Sequence, residues 1–299
     1  AAEFLEIAAS TRAAGMGEAF VGVADDVGAL YHNPAGMVRN RESSLQYLHA
    51  AWLGTVGYDH LAGMFPHTRW GSVGASFSRL LLSQDRITVG PSGEPVIQPG
   101  GLQASQNAAA ISYAVPVAVP TAVGVSLKVV GQDLDVSRGT AVAADLGLQY
   151  RSPLPELVLG AQLVNVGTRL DRATLPVVLK AGGGLALPAV PGLAGLAGRR
   201  GVWDLPVVAA ELHFRVAPQT SRFVTLRTGL EYRVGVDDRQ SAHLRAGYKV
   251  GEEGAGGFAG ATLGMGYRLG LQRFSFGLDY ALVHYGELGP AHRFEVTMG

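Results

Sequence analysis

The sequence predicts an all-β protein, a single closed antiparallel β-barrel of about fourteen strands whose lumen holds a short, partly helical N-terminal segment. Three observations predict this class. From Ser44 onward, apolar and polar residues alternate in one segment after another, with turn residues between the segments. A phrase containing Tyr-Arg recurs near the ends of these segments. Charged residues make up only 16% of the chain, against roughly 25% in soluble domains, and glycine is abundant.

The recurring phrase is Gly-Leu-x-Tyr-Arg, and it separates an apolar face from a polar one. It occurs at 147–151 and 229–233, with Met for Leu at 264–268 and without Arg at 277–281, and a short form, Gly-Tyr-Lys, stands at 247–249. On a strand, Leu and Tyr share one face, while Gly, the variable residue and Arg share the other. A membrane barrel turns such an apolar face toward lipid and keeps charges inside. The alternative is a soluble sheet that buries the same face in a core.

The alternating segments define the elements of the predicted barrel. Most are about 9–13 residues long, close to the roughly 9–11 residues that cross a bilayer at a tilt. They span 44–52, 56–65, 70–81, 106–116, 120–131, 140–150, 156–165, 176–188, 201–215, 222–234, 240–250, 256–268, 271–283 and 290–298. The earlier residues lack this alternation and show a short helical turn over 11–20. We therefore assign residues 1–43 to a lumen segment and residues 44–299 to the barrel.

The connections and tyrosines orient the predicted strands. If the N-terminus is periplasmic, even-numbered strands run down into short turns, and odd-numbered strands rise into longer loops, the longest at 82–105. The connection 189–200 breaks this rule. Two aromatic girdles then follow, a periplasmic one made by Tyr113, Tyr150, Tyr232 and Tyr267 and an outer one made by Tyr248 and Tyr280. The alternative is the general preference of tyrosine for strands.

Composition and motifs exclude several function classes. Lys plus Arg equals Asp plus Glu at 24 each, so we expect no nucleic-acid partner. There is no cysteine, and the eight histidines lack metal-ligand spacing, so we expect neither a cofactor nor a metal site. The sequence lacks the Gly-x-Ser-x-Gly elbow that would indicate a hydrolase. It also lacks a stretch of about 20 apolar residues that would form a transmembrane helix. The chain opens at Ala1-Ala2-Glu3, which predicts a mature form whose signal peptide has been removed.

Charged residues on the polar faces of the strands are the candidate lumen groups. They are Lys128, Asp145, Arg227, Glu231, Arg245, Lys249, Arg268, Arg273, Asp279, Arg293 and Glu295. We expect them to form structural charge ladders that hold the barrel and the N-terminal segment; a polar route or a ligand site is the alternative. In the N-terminal segment, Asp25 and Asp26 are expected to accept hydrogen bonds from backbone donors, with cation binding as the alternative.

Three phrases of the N-terminal segment resemble a known signature. These are Arg12-Ala-Ala-Gly-Met16-Gly with Phe20 shortly after it, Ala24-Asp25-Asp26, and Tyr-His-Asn33-Pro34-Ala35-Gly. Together with Leu-Val-Asn-Val-Gly at 163–167 and the closing strand pair, they resemble the FadL-like outer-membrane proteins, most of all their PorV/PorQ branch. The resemblance extends over essentially the whole chain.

The resemblance implies a fourteen-stranded barrel in a Gram-negative outer membrane, with the N-terminal segment as a hatch that contains the Asn33-Pro34-Ala35 turn. FadL-like members pass hydrophobic molecules, and the PorV branch serves type IX secretion as an accessory barrel. The chain lacks the long outer loops of fatty-acid transporters and ends in Thr-Met-Gly299 rather than an aromatic residue, which leaves its natural end open.

The leading hypothesis is therefore a non-enzymatic barrel that partners a secretion or surface apparatus or passes a hydrophobic small molecule past its hatch. The runner-up is a structural barrel that self-associates as a homo-oligomer, because small residues on the lipid side permit close contact. An outer-membrane lipid hydrolase is third. Outer-membrane lipid is the expected surrounding in each case.

Overall fold

A closed barrel of fourteen antiparallel strands is the architecture of this protein. The computed structural model describes residues 2–52, 56–67, 70–90, 92, 94–134, 137–154, 156–171, 173–187, 206–216, 224–235, 237, 239–251 and 259–299. The strands are β1 (Ser44–Trp52), β2 (Val56–His67), β3 (Gly71–Val89), β4 (Pro95–Ala118), β5 (Thr121–Asp133), β6 (Arg138–Arg151), β7 (Leu157–Gly167), β8 (Val178–Ala186), β9 (Val207–Arg215), β10 (Val224–Gly235), β11 (Gln240–Val250), β12 (Ala261–Gly270), β13 (Ser275–His284) and β14 (Pro290–Met298). Each strand pairs with its sequence neighbours, and β1 closes the ring against β14. The predicted fold class is confirmed.

The alternation of each strand sorts its side chains between the outside and the lumen. In β13, Phe276 and Leu278 point outward and are exposed, whereas Asp279 points inward and is buried. In β10, Leu226 and Leu230 are outward and exposed, while Arg227 is inward and buried. The outside of the wall is therefore an apolar belt, far larger than the exposed patches of ordinary soluble monomers.

The N-terminal segment (residues 2–43) occupies the lumen. It contains 3₁₀ helices at Glu3–Glu6 and Pro34–Arg39 and two short α-helices, α1 (Thr11–Gly15) and α2 (Ala29–His32). The Ser10 hydroxyl caps α1 by accepting a hydrogen bond from the Ala13 amide at 3.3 Å. In the described part of the chain, no helix has both the length and the apolar character needed to span a membrane. The closed ring of strands encloses these short helices and buries nearly all of the segment. Met16 and Phe20 are buried completely.

The region 82–105, predicted to be a long loop, is instead a projecting hairpin. β3 has 19 residues and β4 has 24, and the two strands stay paired up to Val89 and Pro95. We name residues 83–104 the β3–β4 arm, because β2 pairs with β3 only up to Leu82, and β5 reaches β4 only at Ser105. The loop prediction was wrong because cross-strand pairing of Ile87 with Ile97 outweighs the turn residues of this stretch.

The start of β13 also differs from the prediction. β13 begins at Ser275 rather than at 271, because a backbone hydrogen bond of 2.6 Å from the Leu271 amide to the Phe274 carbonyl closes a turn there. The connection predicted at 189–200 and the predicted starts of strands at 201, 222 and 256 lie outside the described residues.

The arm gives a first testable prediction. Residues 84–102 can be replaced by an Asn-Gly turn between Ser83 and Gln103, which pair with each other. This change removes the pairing within the arm but keeps the described pairings of β2 with β3 and of β4 with β5. We expect the shortened protein to insert into membranes and to unfold in urea within about 0.5 kcal/mol of the full chain. A deletion of residues 106–116 is the control, and it should abolish assembly because β4 then cannot bridge β3 and β5. Equal loss in both variants would contradict an arm that lies outside the barrel.

Candidate functional site: the interface between the wall and the N-terminal segment

A chain of ion pairs connects the N-terminal segment to the wall. Arg12 donates to the Asp25 carboxylate at 2.6 Å, to Asp26 at 2.8 Å and, through two nitrogens, to both oxygens of Glu231 on β10. Glu231 also accepts from Arg245 on β11 at 2.6 Å. Such two-pronged contacts between guanidinium and carboxylate are the strongest type of ion pair.

The series of ion pairs continues along the inner face of the wall, on the strands that follow β10. Arg245, whose side chain is fully buried, also binds Asp279 on β13 at 2.6 Å, and Arg268 on β12 binds the other oxygen of Asp279. We call the set from Asp25 and Asp26 through Arg12, Glu231, Arg245 and Asp279 to Arg268 the ion-pair chain. Its charges alternate in sign, which is what a buried charge cluster requires.

Glu18 forms a second anchor of the segment. Its carboxylate accepts hydrogen bonds from Arg227 on β10 and, at 3.1 Å, from Lys249 on β11. Burial alone would raise the pKa of Glu18, but the charges of Arg227 and Lys249 outweigh burial and hold the pKa well below its usual range. Glu18 is therefore ionised at every physiological pH, and the anchor persists.

Inward polar side chains also satisfy the backbone of the N-terminal segment. Glu295 accepts a hydrogen bond from the Thr11 amide at 2.6 Å, and Glu211 accepts from the amides of Phe20 and Val21 at 2.6 and 2.7 Å. Carbonyl groups are paired in the same way. Arg293 donates to the Ala8 carbonyl at 2.6 Å, Gln46 to Ala9 at 2.8 Å and Gln149 to Ala24 at 2.9 Å. These contacts allow irregular backbone to lie buried without unpaired groups.

Inward glycines let the segment approach the wall. A Cβ built on Gly147 or Gly124, which pair with each other, would collide with the Asn33-Pro34-Ala35 turn. A Cβ on Gly229 or Gly247, a second cross-strand pair, would collide with the backbone of Met16 and Gly17. We call the six inward glycines of this kind the glycine ring; they are Gly124, Gly147, Gly160, Gly229, Gly247 and Gly264.

The turn at Asn33 is fixed from both sides. Its side-chain amide donates to the carbonyl of Val21 at 2.8 Å and to that of Leu148 at 3.0 Å, and its oxygen accepts from the Ala35 amide at 3.2 Å. Pro34 begins the following 3₁₀ helix, where its fixed φ and missing N–H are tolerated. The three residues predicted as a hatch turn thus join the segment to itself and to β6.

The structure brings most of the predicted lumen charges to this interface but not all. Lys128 and Asp145 pair with each other at 2.7 Å, on the side of the lumen away from the ion-pair chain. Arg273 was wrongly assigned to the lumen. It lies exposed in the turn before β13, because the strand alternation does not extend to it. Asp26 accepts from the Gly28 amide at 2.9 Å, but Arg12 is the main partner of both aspartates, a role the sequence did not predict.

The predicted girdle tyrosines all lie on the outward side of their strands. Tyr113, Tyr150, Tyr232 and Tyr267 stand near the strand ends that lead into the short connections, and Tyr248 and Tyr280 lie nearer the opposite end. The Tyr113 hydroxyl donates to the Trp70 carbonyl at 2.6 Å, and Tyr280 bonds to His292 at 2.8 Å. The phenol groups of Tyr113 and Tyr280 thus have polar partners beside the apolar belt. The two girdles themselves stay a prediction.

Two side-chain sets were missed by sequence reasoning. The sequence analysis did not single out Glu18. Its carboxylate directly follows Gly17, a position that requires glycine. Of the glycine ring, Gly147, Gly229, Gly247 and Gly264 were noticed only as part of the recurring phrase, and Gly124 and Gly160 were not noticed. Its signal was present in the sequence, since the same small residue recurs at inward positions on strand after strand.

Small cavities lie between the segment and the wall. Two of them, lined by described residues, have volumes of about 20 and 30 Å³, each enough for a water molecule. His60 and Ser78 are hydrogen-bonded at 2.8 Å, but they are buried in the lumen rather than at a rim, and the described residues place no carboxylate in hydrogen-bond contact with this pair. The described residues also contain no group of three acidic or histidine ligands that would hold a metal ion.

Comparison with known proteins shows which fold this is. No known family profile matches the chain. A UPF0164 protein of Treponema pallidum (strain Nichols) is 26% identical over 166 residues, which are 52% of this chain but only 41% of that protein. This chain therefore matches less than half the length of that relative.

Solved structures match over nearly the whole chain. The toluene transporter TodX of Pseudomonas putida has a TM-score of 0.60 at 9% identity, covering 95% of this chain and 96% of its own. The toluene transporter TbuX of Ralstonia pickettii gives 0.57 at 11%, covering 96% of both chains. A Pseudomonas aeruginosa FadL homologue gives 0.53 at 12%, covering 95% and 97%. The chain shares their fold. These neighbours are described as transporters or as a FadL homologue, and none of the three as an enzyme.

Proposed function

We propose that this protein is an outer-membrane barrel of the FadL-like type that passes small hydrophobic molecules past its N-terminal segment, which acts as a hatch. The observation that carries the proposal is the match to hydrocarbon transporters over nearly the full length of both chains. The apolar belt supports a place in a bilayer, where such a surface would be covered by lipid.

Passage requires the hatch to move. The two cavities described between segment and wall are water-sized, so neither of them admits a hydrocarbon unless the segment shifts. The segment is joined to the wall by ion pairs and hydrogen bonds to the backbone rather than by covalent links. Such contacts can be exchanged for water contacts when the segment shifts, which makes a reversible opening physically accessible.

A second candidate is an accessory or self-associating barrel that serves a larger secretion or surface apparatus, as the resemblance to the PorV/PorQ branch implies. The close packing of the described segment against the wall supports it, because a barrel that passes no solute needs no opening. Small outward side chains such as Ala144, Ala161 and Ala246 offer places for close contact with another barrel.

A cross-link that locks the hatch separates the two functions. The chain contains no cysteine, so the double variant Ala14→Cys with Ala281→Cys adds a unique pair in one buried cluster between the segment and β13. The assay is the uptake of labelled toluene by Gram-negative cells that lack their own hydrocarbon channel, since lipopolysaccharide slows toluene more than a phospholipid bilayer does. We expect wild-type protein to raise uptake, oxidation of the double variant to abolish that gain, and reduction to restore it.

Each single-cysteine variant is the control for oxidation itself. Uptake through the cross-linked barrel at the wild-type rate would show that solutes do not pass the segment and would overturn the hatch. No gain with wild-type protein, together with purification in a fixed ratio to another surface protein, would instead favour the accessory barrel.

A further inference from the structure

Within the described part of the chain, the buried cation Lys180 has no carboxylate in hydrogen-bond or ion-pair contact. Lys180 on β8 points inward and is only 8% exposed. Its ammonium lies 5.4 Å from the centre of the Tyr31 ring, a cation–π contact. Within the described residues it forms no ion pair and no hydrogen bond. A buried ammonium without a carboxylate or acceptor is costly, so this position calls for an explanation.

The nearby acids are committed to other partners. Asp145 is paired with Lys128, Glu18 with Arg227 and Lys249, and Glu6 with Arg215 at 3.1 Å. Glu211, on the strand next to Lys180, accepts from the amides of Phe20 and Val21 and contacts His213. Counted with Lys180, the side chains of this set are five cations and four carboxylates, an excess of one positive charge.

Lys180 borders a cavity of about 20 Å³ between the wall and the N-terminal segment. Arg227, Lys128 and His213 also line it, and so do three carboxylates, those of Glu6, Glu18 and Asp145. Each of these carboxylates is paired with a cation other than Lys180. Leu5 and Tyr31 line both this cavity and the larger one beside it. A volume of this size accommodates a water molecule or a particle only slightly larger. Water would offer Lys180 an acceptor, but only an anion would also balance its charge.

We propose that this cavity is a binding site for a small monovalent anion of halide size, with Lys180 as the side chain that holds it. The bound anion completes the charge balance between β8, β10 and the segment, and it stabilises the closed lumen by binding that state and not an open one. The site is independent of whether hydrophobic molecules pass the barrel.

Bromide is the probe, because its anomalous X-ray scattering marks its position. Crystals of the full chain are soaked in sodium bromide, and Lys180→Met is compared with wild type and with Lys180→Arg. We expect an anomalous peak in the cavity in wild type and Lys180→Arg, and none in Lys180→Met. No peak in wild type, or a peak that persists in Lys180→Met, would overturn the proposal.

A solution measurement keeps the test decisive if a variant does not crystallise. Sodium bromide should raise the melting temperature of wild type by a few degrees over sodium gluconate at the same ionic strength, because gluconate is too large for the cavity. The gain should vanish in Lys180→Met. Arg138→Met, which removes an exposed cation outside the lumen, is the matched control and should keep it. An equal bromide response in Lys180→Met and Arg138→Met would contradict the site.

Discussion

Arg12→Met should release the N-terminal segment from the wall. The substitution keeps the length of the side chain but leaves Glu231 buried with one cation instead of two, and Asp25 and Asp26 without their shared partner. Removing one member of a buried pair typically costs about 3–5 kcal/mol, because the other charge remains buried. The aspartates are about one-third exposed, so we assign most of this loss to Glu231.

The measurement is a pair of observations on reconstituted protein. We expect steady ion conductance through single barrels in a planar bilayer and rapid chymotrypsin cleavage after the buried Phe4 and Phe20, while wild-type protein stays closed and resistant at these sites. Urea unfolding gives the free-energy change. Arg239→Met is the matched control, since Arg239 is an exposed arginine in the turn before β11, and it should behave as wild type.

A double variant identifies the cause. If the buried carboxylate is responsible, Arg12→Met combined with Glu231→Gln should recover part of the lost stability, because no uncompensated charge remains. A closed, protease-resistant Arg12→Met protein would mean that the glycine ring and backbone hydrogen bonds hold the segment by themselves.

Strand pairing was predictable because its signal is local. The alternation of Val224, Leu226 and Leu230 with Arg227 and Glu231 already decides which side of β10 faces the lumen. The arm was not predictable in the same way. Pro99 and Gly100 read as breakers, and what keeps the hairpin together is pairing across it, which no single segment reveals.

The ion-pair chain shows the same limit in the site. Alternation placed Glu231, Arg245 and Asp279 on the inner face, and neighbouring strands make their mutual contacts a short step. Arg12 lies 219 residues from Glu231, however, and their contact depends on the path of the segment through the lumen. A sequence pattern carries no information on that path, except at the glycine ring, where the small residues mark the places at which the segment contacts the wall.

Gly247→Ala should displace the segment by adding a single carbon atom. The new Cβ would overlap the Gly17 amide nitrogen and the Met16 carbonyl carbon, which are backbone atoms that cannot rotate away. Gly17 has φ of +61°, a conformation that favours glycine, and its amide donates to Thr262 at 2.9 Å. We expect a loss of about 1–3 kcal/mol in urea unfolding, typical of overpacked cores, together with protease cleavage in the segment.

Gly131→Ala is the matched control for this substitution. Gly131 is also on a barrel strand, but a Cβ there meets no atom within 4 Å, so the change should stay within about 0.5 kcal/mol of wild type. If both variants lost equal stability, the cost would come from the strands themselves. A selective loss in Gly247→Ala would instead establish that glycine is needed at these positions because the segment passes against them. The recurring phrase would then specify both the wall and the N-terminal segment that the wall encloses.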